Sequence, residues 1–291
     1  MIHIIGTGLS GLVGSRVTEL LHPEFQFENL SLETGIDITD EYVVREKLKQ
    51  SSAPWVFHFA AMTDVDSAEK DRILGEKSTA WRVNVSGTQH IVNAAREFGK
   101  RVLYLSTDFV FDGTDGPYTE EHEPNPLSWY AMTKYEGEKC VRTLGESGLV
   151  LRIAFPYKSR QTGKPDFVHR MLEELRQGKR ITAPSDLLIT PTFIDDIVPV
   201  IRTLIGMNAF GIFHAVGNRA MSPYDIALCV ARVFELVNSD IAPSLSTSYY
   251  INRAPRPVQA ILKNDKIEAL GLRMRSFEEG MDIIRSQELG M

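Results

Sequence analysis

The stretch GTGLSGLVG, residues 6–14, follows a short apolar run and precedes the first helix-like segment of the chain. Its glycines have the spacing GxxGxxG. Glycines at a turn from strand to helix let the backbone bend sharply and approach a phosphate closely, and the helix N-terminus offers free N–H groups. The stretch predicts a phosphate-binding loop, with a glycine-rich turn that holds no ligand as the alternative. The residues expected at the phosphates are Gly8, Gly11, Leu12, Val13 and Gly14.

Strand-like and helix-like segments alternate through the first half of the chain, which is the pattern of βαβ units around a parallel sheet. The strand-like runs are almost continuously apolar, as expected when helices cover both faces of the sheet. We predict strands at residues 2–5, 25–30, 55–60, 101–106 and 149–154, and helices at Gly11–Leu21, Asp40–Gln50, Trp81–Phe98 and Ser128–Leu144. The fold class predicted is α/β, with a Rossmann-type doubly wound parallel sheet.

The chain changes character after about residue 155, where turn-rich segments such as PYKSRQTGKP (156–165) appear. Helix-like stretches lie between these segments, and one of them opens with Ser222 as N-cap and Pro223 at its first position. We expect residues 1–154 to form the domain of the glycine loop. Residues 155–291 are expected to form mainly a smaller C-terminal lobe, with segments around 189–216 returning to the first domain.

Composition narrows the class of protein. Of 291 residues, 43% are hydrophobic and 24% charged, as in ordinary globular proteins. The net charge of -6 lacks the basic footprint of a nucleic-acid-binding protein, and no apolar run approaches the roughly 20 residues of a membrane helix. The N-terminus, MIHIIGTG, has no basic segment before its apolar run, so we expect no signal peptide. Cys140 and Cys229 are isolated, which predicts neither a disulfide nor a zinc site and fits the cytoplasm.

Polar residues follow the fourth predicted strand at the edge where the glycine loop lies, and the next helix begins with a tyrosine and a lysine. The fourth predicted strand ends in YLSTDFVFDG (104–113), and the next helix begins with SWYAMTK (128–134), which places Tyr130 and Lys134 one helical turn apart. The alternative is an aromatic residue packed under the stem of a solvated lysine. An ammonium close to a phenol favours the phenolate, so Lys134 is expected to lower the pKa of Tyr130.

Together these motifs resemble the short-chain dehydrogenases/reductases, in which the glycine loop has the form GxxGxxG. The resemblance implies an NAD(P)-binding first domain and a catalytic triad of Thr107, Tyr130 and Lys134. Tyr130 would then give a proton to a carbonyl oxygen that Thr107 holds, while the nicotinamide supplies a hydride. Tyr130 and Lys134 are expected to contact the cofactor as well. Asn84 resembles another asparagine of the family, with a helix residue facing a neighbouring loop as the alternative.

The resemblance also implies further cofactor contacts. In GIDITD (35–40), Asp37 and Ile38 match residues around the adenine ring, although Asp37 would equally suit the turn before the next helix. Small residues in HFAAMTDVD (58–66) match the segment past which the cofactor runs; they are Ala60, Ala61 and Thr63. No arginine ends the second strand to receive a 2′-phosphate, so NADH or NADPH is expected, with NADH slightly favoured.

Within that group, STDFVFDG (106–113), the segment 118–139 and PTFIDDI (191–197) closely resemble the dTDP-4-dehydrorhamnose reductases. The resemblance implies reduction of a nucleotide-linked 4-keto sugar to dTDP-L-rhamnose, with the C-terminal lobe binding the substrate. Related dehydratases have Asp-Glu after the triad threonine, whereas this chain has Asp108 and Phe109, which disfavours elimination. The family's Trp-Tyr and glycine turn is replaced here by Phe155, Pro156 and Tyr157, so the chain departs from the family pattern in the lobe that would bind the sugar.

The substrate-binding candidates are Thr107, Asp108, Phe109, Phe155 and Arg256. Arg256 would pair with the substrate diphosphate, or else lie on the surface between two prolines. Two alternatives to reduction stay open: a sugar-nucleotide epimerase of the same fold, and a non-catalytic NADP-binding protein resembling the methionine adenosyltransferase regulatory subunit. A nucleotide sugar is the expected partner, without nucleic acid, membrane or metal, and a homodimer is a family expectation.

Overall fold

A computed structural model describes residues 1–22, 24–160, 163 and 165–290 of the chain. Part of the turn-rich segment predicted at 156–165 therefore lies outside the described residues. The strands are β1 (Ile2–Thr7), β2 (Phe25–Leu30), β3 (Trp55–His58), β4 (Arg101–Thr107), β5 (Gly148–Ile153), β6 (Pro156–Tyr157), β7 (Ile181–Pro184), β8 (Thr192–Phe193), β9 (Gly211–His214) and β10 (Ile241–Ser244). The α-helices are α1 (Leu12–Leu21), α2 (Glu41–Gln50), α3 (Val65–Lys70), α4 (Thr79–Trp81), α5 (Thr88–Glu97), α6 (Trp129–Arg142), α7 (Phe167–Arg176), α8 (Ile194–Gly206), α9 (Pro223–Val233), α10 (Ser246–Tyr249), α11 (Asp265–Ala269) and α12 (Phe277–Glu288).

The central sheet has six parallel strands in the order β2-β1-β3-β4-β5-β9. The order reverses direction between β1 and β3. In an open parallel sheet a ligand binds in the crevice at the carboxyl ends of the strands where this reversal occurs. The glycine loop, which follows β1, lies at that position. The predicted strands agree with the structure closely, and the β2 residues, 25–30, are the same in both.

Helices cover both faces of the sheet, because successive strand residues point to opposite sides. Ile4 packs with residues of α1 and α8 in one core, and Ile5 packs with residues of α2, α5 and α6 in another. The strands are therefore buried on both faces, which explains their continuous apolar sequence. The predicted Rossmann-type doubly wound fold is confirmed.

Polar caps fix where the helices begin. Asp40, Ser128 and Ser222 each accept a hydrogen bond from a backbone N–H in the first turn of α2, α6 and α9, respectively. Pro223 occupies the first turn of α9, as predicted. The cap at Ser128 matters most for the site, since it sets the position of Tyr130 in the first turn of α6.

The second half of the chain contains its own hydrophobic core, formed by residues of α7, α9 and α12 around Tyr157 and Phe193. Two short parallel pairs, β6 with β8 and β7 with β10, border it. Between these elements the chain returns to the central sheet, because α8 packs on α1 and β9 pairs with β5. That residues 1–154 bind the cofactor and residues 155–291 mainly bind the substrate stays a prediction. Among the described residues, no helix is both long enough and apolar enough to span a membrane.

Candidate active site

The glycine loop is packed too tightly for side chains at two of its glycines. Gly8 has a φ of 67°, and a Cβ there would lie 2.4 Å from the backbone nitrogen of Ala60. At Gly14 a Cβ would lie 2.3 Å from the carbonyl oxygen of Gly8. The loop can therefore turn closely over the end of β3 only because both residues lack a side chain.

The helix that follows has an open N-terminus. Gly11 is the N-cap of α1 and provides no side-chain hydrogen bond, and the first turn contains no acidic residue. Leu12 and Val13 begin the helix at this point, so their backbone N–H groups and the positive end of the helix dipole are available to an anion. The loop thus has the geometry that a pyrophosphate requires, which fits a dinucleotide.

The small residues predicted after β3 lie beside this loop. The Ala60 nitrogen donates a hydrogen bond of 3.3 Å to the hydroxyl of Thr7, at the end of β1. Ala60 and Ala61 are half-buried and Thr63 is exposed at the same edge. Nothing larger than a methyl group projects from the first two positions, which leaves room along the crevice between β1 and β3.

Asp37 and Ile38 occupy different environments. The Asp37 carboxylate is exposed and accepts a hydrogen bond of 2.9 Å from the backbone nitrogen of Thr39, so the turn interpretation of Asp37 is confirmed. Asp37 also lines a shallow depression of about 830 Å³ together with Arg45 and Arg82. Ile38 is buried in the core beneath Gly87, so its side chain is largely unavailable for contact with a ligand.

Asn84 joins two parts of the site. It lies in a π-helical turn, Arg82–Gly87, and its amide oxygen accepts from the backbone nitrogen of Met62 at 2.8 Å. The amide nitrogen donates to the Met62 carbonyl and to the Thr133 hydroxyl. Asn84 therefore faces a neighbouring loop, as one interpretation of the sequence predicted, and fixes that loop to the part of α6 between Tyr130 and Lys134.

Thr107 and Asp108 lie together where β4 ends. The Thr107 hydroxyl donates a hydrogen bond of 3.0 Å to Asp108 Oδ1 and accepts one of 3.2 Å from the backbone nitrogen of Phe109. Asp108 is only 2% exposed. Burial raises the pKa of its carboxyl to about 7, although the hydrogen bond from Thr107 acts in the opposite direction.

Aromatic side chains enclose Tyr130. Phe109 packs edge-on against it, with 6.2 Å between the ring centroids, and Phe155 lies 5.8 Å from Phe109. Phe155 has a φ of 42°, a left-handed conformation that is rare for a bulky residue. The chain therefore holds the Phe155 ring at this wall at a cost in backbone strain, which is characteristic of functional sites.

The expected lowering of the Tyr130 pKa is wrong for this structure. Burial raises the pKa of the phenol above its ordinary value and is the largest effect. Hydrogen bonding from Thr107 lowers it by less, and the negative charge of Asp108 raises it by a still smaller amount. Tyr130 is therefore a neutral phenol across the physiological pH range, which is the form that donates a proton.

Lys134 is directed at the sheet rather than at the phenol. Its ammonium donates a hydrogen bond of 2.8 Å to the carbonyl oxygen of Leu105 and lies 4.0 Å from the centre of the Tyr104 ring. Burial lowers the pKa of Lys134 to about 7, and the carboxylate of Glu138 opposes the shift. The sequence interpretation of Lys134 as a solvated surface side chain is wrong, because only 3% of it is exposed.

Behind these residues lies an ion pair that the sequence analysis did not identify. Glu138 on α6 accepts hydrogen bonds from Ser106 on β4 at 2.6 Å and from Arg152 on β5 at 2.8 and 2.7 Å. Glu138 and Arg152 are both fully buried. The pair fastens α6 to the two strands beneath it. An arginine within the apolar run LVLRIA, and a glutamate one turn after Lys134, are the signals that could have revealed it.

Arg256 reaches the same edge from the C-terminal segment. Its guanidinium donates a hydrogen bond of 2.9 Å to Asp66 Oδ1 on α3 and lies over the ring of Tyr250. The Arg256 side chain is 13% exposed, so it is partly buried and held by Asp66, and its pairing with a diphosphate stays a prediction. Among the described residues, no group of three or more His, Cys, Asp or Glu side chains is arranged to hold a metal ion.

Comparison with known proteins gives relatives of nearly full length. The dTDP-4-dehydrorhamnose reductase of Aggregatibacter actinomycetemcomitans is 29% identical over 98% of this chain and 99% of its own length. The methionine adenosyltransferase 2 subunit beta of Rattus norvegicus is also 29% identical, over 94% of this chain and 84% of its own length.

A solved structure gives the same relationship. The dTDP-4-dehydrorhamnose reductase of Bacillus anthracis, in complex with NADP, has a TM-score of 0.89 and 27% identity and covers 99% of this chain and 100% of that one. The family model described as the RmlD substrate binding domain matches residues 2–287. The chain therefore belongs to the RmlD substrate binding domain family.

Proposed function

We propose that the protein is an NAD(P)H-dependent reductase of a nucleotide-linked 4-keto sugar, with dTDP-4-dehydrorhamnose as substrate and dTDP-L-rhamnose as product. The observation that carries the proposal is that Thr107 ends β4 and that Tyr130 and Lys134 lie on α6, which packs against β4, in a chain of this family. Full-length relatives named as this reductase support the choice of substrate.

The cofactor is bound across the carboxyl edge of the sheet. Gly8, Gly14 and the first turn of α1 receive the pyrophosphate, because the loop has no side chains to obstruct it. The adenine would lie near Asp37, which borders a shallow depression. Ala60, Ala61 and Thr63, which follow β3, would lie along the cofactor between the glycine loop and the nicotinamide. When bound, the reduced nicotinamide supplies the hydride. The Bacillus anthracis reductase was solved in complex with NADP. Both NADPH and NADH, which the sequence slightly favours, should therefore be tested as cofactors.

Side chains of this protein donate the proton and stabilise the ketone oxygen. Tyr130 is neutral and gives its proton to the ketone oxygen as negative charge develops there. Thr107 donates a hydrogen bond to the same oxygen. To do so, its hydroxyl hydrogen must rotate away from Asp108 Oδ1, to which it donates in this structure. Lys134 contributes a donor close to the cofactor ribose. Phe109 and Phe155 enclose the sugar and exclude water, and Arg256 receives the diphosphate.

The test is to incubate the protein with NADH or NADPH and a panel of nucleotide-linked keto sugars while following the absorbance of the reduced cofactor. We expect turnover with dTDP-4-dehydrorhamnose. Tyr130→Phe should lower kcat by about 100-fold or more and leave the affinity for the cofactor nearly intact, because the ring stays in place and only the hydroxyl that transfers the proton is removed. Unchanged turnover in that variant contradicts the catalytic assignment.

A regulatory role is the second candidate, since relatives named methionine adenosyltransferase 2 subunit beta match at the same identity. A stable complex with a methionine adenosyltransferase, without cofactor turnover on any sugar, would favour it. Epimerisation predicts bound NAD and no net consumption of reduced cofactor. A homodimer stays a prediction, measured by light scattering of the purified protein.

A further inference from the structure

His58 lies fully buried at the carboxyl end of β3, beside the crevice between β1 and β3. Thr7 and His58 are the last residues of these two strands, and they are partners in the register of the sheet. The strand order of the sheet reverses between the same two strands. Neither side chain is accessible to solvent. The polar imidazole must therefore find its hydrogen-bond partners within the protein.

Two threonine hydroxyls hold the imidazole, one at each ring nitrogen. Thr7 Oγ1 lies 2.7 Å from His58 Nδ1, and Thr88 Oγ1 lies 2.9 Å from His58 Nε2. Thr88 donates its hydroxyl hydrogen to the carbonyl oxygen of Asn84 at 2.7 Å. Thr88 can therefore only accept from His58, which places the ring proton on Nε2 and leaves Nδ1 to accept from Thr7.

A neutral ring is the form that this arrangement requires. In the neutral imidazole one nitrogen donates and the other accepts, and each hydroxyl then has the complementary role. Burial lowers the pKa of His58 to about 3, and the positive charge of Lys134 acts in the same direction. His58 thus serves as a fixed link between two hydroxyls.

The Thr7 end of this link sets the position of the phosphate loop. The Thr7 hydroxyl also accepts a hydrogen bond of 3.3 Å from the backbone nitrogen of Ala60. Gly8 follows Thr7 directly, and a Cβ at Gly8 would lie 2.4 Å from that same nitrogen. A shift of Thr7 would therefore change how the glycine loop lies over the small residues that follow β3.

The Thr88 end of the link is anchored to α6. Thr88 is the first residue of α5 and donates to Asn84 in the π-helical turn. The Asn84 side chain binds the backbone of Met62 and donates to the Thr133 hydroxyl at 2.9 Å. Thr133 in turn donates to the carbonyl oxygen of Tyr130 at 2.8 Å. Hydrogen bonds thus connect the end of β1, through His58 and Asn84, to the first turn of α6.

We propose that His58 is a positioning residue of the cofactor site, which ties the end of β1 to the π-helical turn and so keeps the crevice at the width that the dinucleotide needs. The proposal rests on the proposed function, in which NADH or NADPH occupies this crevice. Because the ring is fully buried, His58 acts through Thr7 and Thr88 rather than by touching the cofactor. An apolar ring would fill the same volume but would hold neither hydroxyl.

The first test compares Thr88→Val with Thr88→Ser in a fluorescence titration with NADPH. Valine keeps the shape of the side chain but leaves the His58 Nε2–H without an acceptor, whereas serine keeps the hydroxyl. We expect the Kd for NADPH to rise by about 10-fold in Thr88→Val and by less than about threefold in Thr88→Ser. Thr7→Val and Thr7→Ser should differ in the same way. An unchanged Kd in both valine variants overturns the proposal.

Steady-state kinetics separate positioning of the cofactor from a general loss of structure. In Thr88→Val, KM for NADPH should rise by about the same factor as Kd, while kcat falls by less than about threefold, because Tyr130 and Thr107 keep their hydroxyls. A fall in kcat with an unchanged KM for NADPH would place the effect on the reaction step and contradict a role in the cofactor site.

Thr192→Val is the matched control. Thr192 is another fully buried threonine, and its hydroxyl accepts a hydrogen bond of 3.2 Å from the backbone nitrogen of Ala154. It lies on β8, which pairs with β6 and not with the central sheet. Urea unfolding should show a loss of stability in Thr192→Val, with an unchanged Kd for NADPH. A Kd raised as much as in Thr88→Val would mean that any buried threonine has this effect, which refutes a specific role of His58.

A further measurement does not depend on turnover. NMR of ¹⁵N-labelled histidine rings should show one neutral ring with its proton on Nε2, unchanged between about pH 5 and 8, absent from His58→Phe and shifted in Thr88→Val. A charged ring or a proton on Nδ1 overturns the assignment. If the Kd values change as expected but no keto sugar is reduced, the reductase function fails and the positioning role stands. If the wild type binds neither NADPH nor NADH, both fail.

Discussion

At the scale of single residues, Gly8 carries two separate constraints. Its φ of 67° disfavours any side chain, and a Cβ would also meet the backbone of Phe59 and Ala60. Gly35 has a similar φ of 77° but nothing within 4 Å of its Cβ position. The two glycines therefore separate backbone strain from close packing.

Gly8→Ala should reduce the free energy of unfolding by more than Gly35→Ala, which should cost on the order of 1 kcal/mol from strain alone. It should also weaken binding of the cofactor, because the loop must move away from the end of β3. Urea unfolding and titration with NADPH measure the two effects. Equal destabilisation and unchanged affinity in both variants would contradict a close-packed phosphate loop.

Asp108 makes a second prediction at this scale, for stability. Its pKa is about 7 in the folded protein against 3.8 as the ordinary value, so between these values the folded state holds a proton that the unfolded state has lost. The contribution of Asp108 to the unfolding free energy therefore falls as pH rises, by up to about 1.4 kcal/mol per pH unit, and is constant above pH 7.

Asp108→Asn removes this dependence. The unfolding free energy of the variant minus that of the wild type should rise between about pH 5 and 7 and level off at higher pH. Urea unfolding at a series of pH values gives this difference directly, and Glu136→Gln, which replaces a half-buried carboxylate on α6 that is paired with Lys139, serves as control. Parallel curves for wild type and Asp108→Asn would refute a raised pKa.

At the scale of secondary-structure elements, the buried pair of Glu138 and Arg152 joins α6 to β5, and Ser106 joins it to β4. The position of Tyr130 relative to Thr107 depends on how α6 lies on these strands. A buried ion pair contributes little over an apolar packing, but removal of one partner leaves an uncompensated charge. The pair therefore enforces the alignment of the catalytic elements.

Glu138→Gln should destabilise the protein by about 3 to 5 kcal/mol, because Arg152 loses its counter-charge in the interior. It should also lower kcat, since α6 carries both Tyr130 and Lys134. Glu136→Gln breaks the ion pair with Lys139 on the exposed side of the same helix and should cost less than about 1 kcal/mol. Comparable losses in the two variants, measured by urea unfolding, would contradict the alignment role.

The elements of the sheet were predictable from the sequence because their signals are local. Apolar runs, the glycine loop and the cap at Ser222 each involve neighbouring residues, and all three lie where expected. The contacts of Lys134 and the raised pKa of Tyr130 were not predictable. Both depend on burial against residues far away in the chain, which spacing along one helix does not reveal.

At the scale of the whole molecule, Asp66 links the C-terminal segment to the domain of the sheet. Its Oδ1 accepts hydrogen bonds from the backbone nitrogen of Ala254 at 3.0 Å and from Arg256 at 2.9 Å. The Arg256 guanidinium also lies 4.3 Å from the centre of the Tyr250 ring. A cation held at the meeting point of the two parts is well placed to exchange its carboxylate for a substrate diphosphate.

Arg256→Gln should raise KM for the nucleotide sugar by about 10-fold, because a charge-assisted hydrogen bond to phosphate is lost, and should leave KM for NADPH unchanged. Asp66→Asn should have a smaller effect on KM, since Arg256 keeps its charge. Arg253→Gln, an exposed arginine over Tyr249 in the same segment, is the control and should behave as wild type. If Arg256 only holds the segment in place, Asp66→Asn and Arg256→Gln will instead raise KM equally, and steady-state kinetics on the three variants decides between these roles.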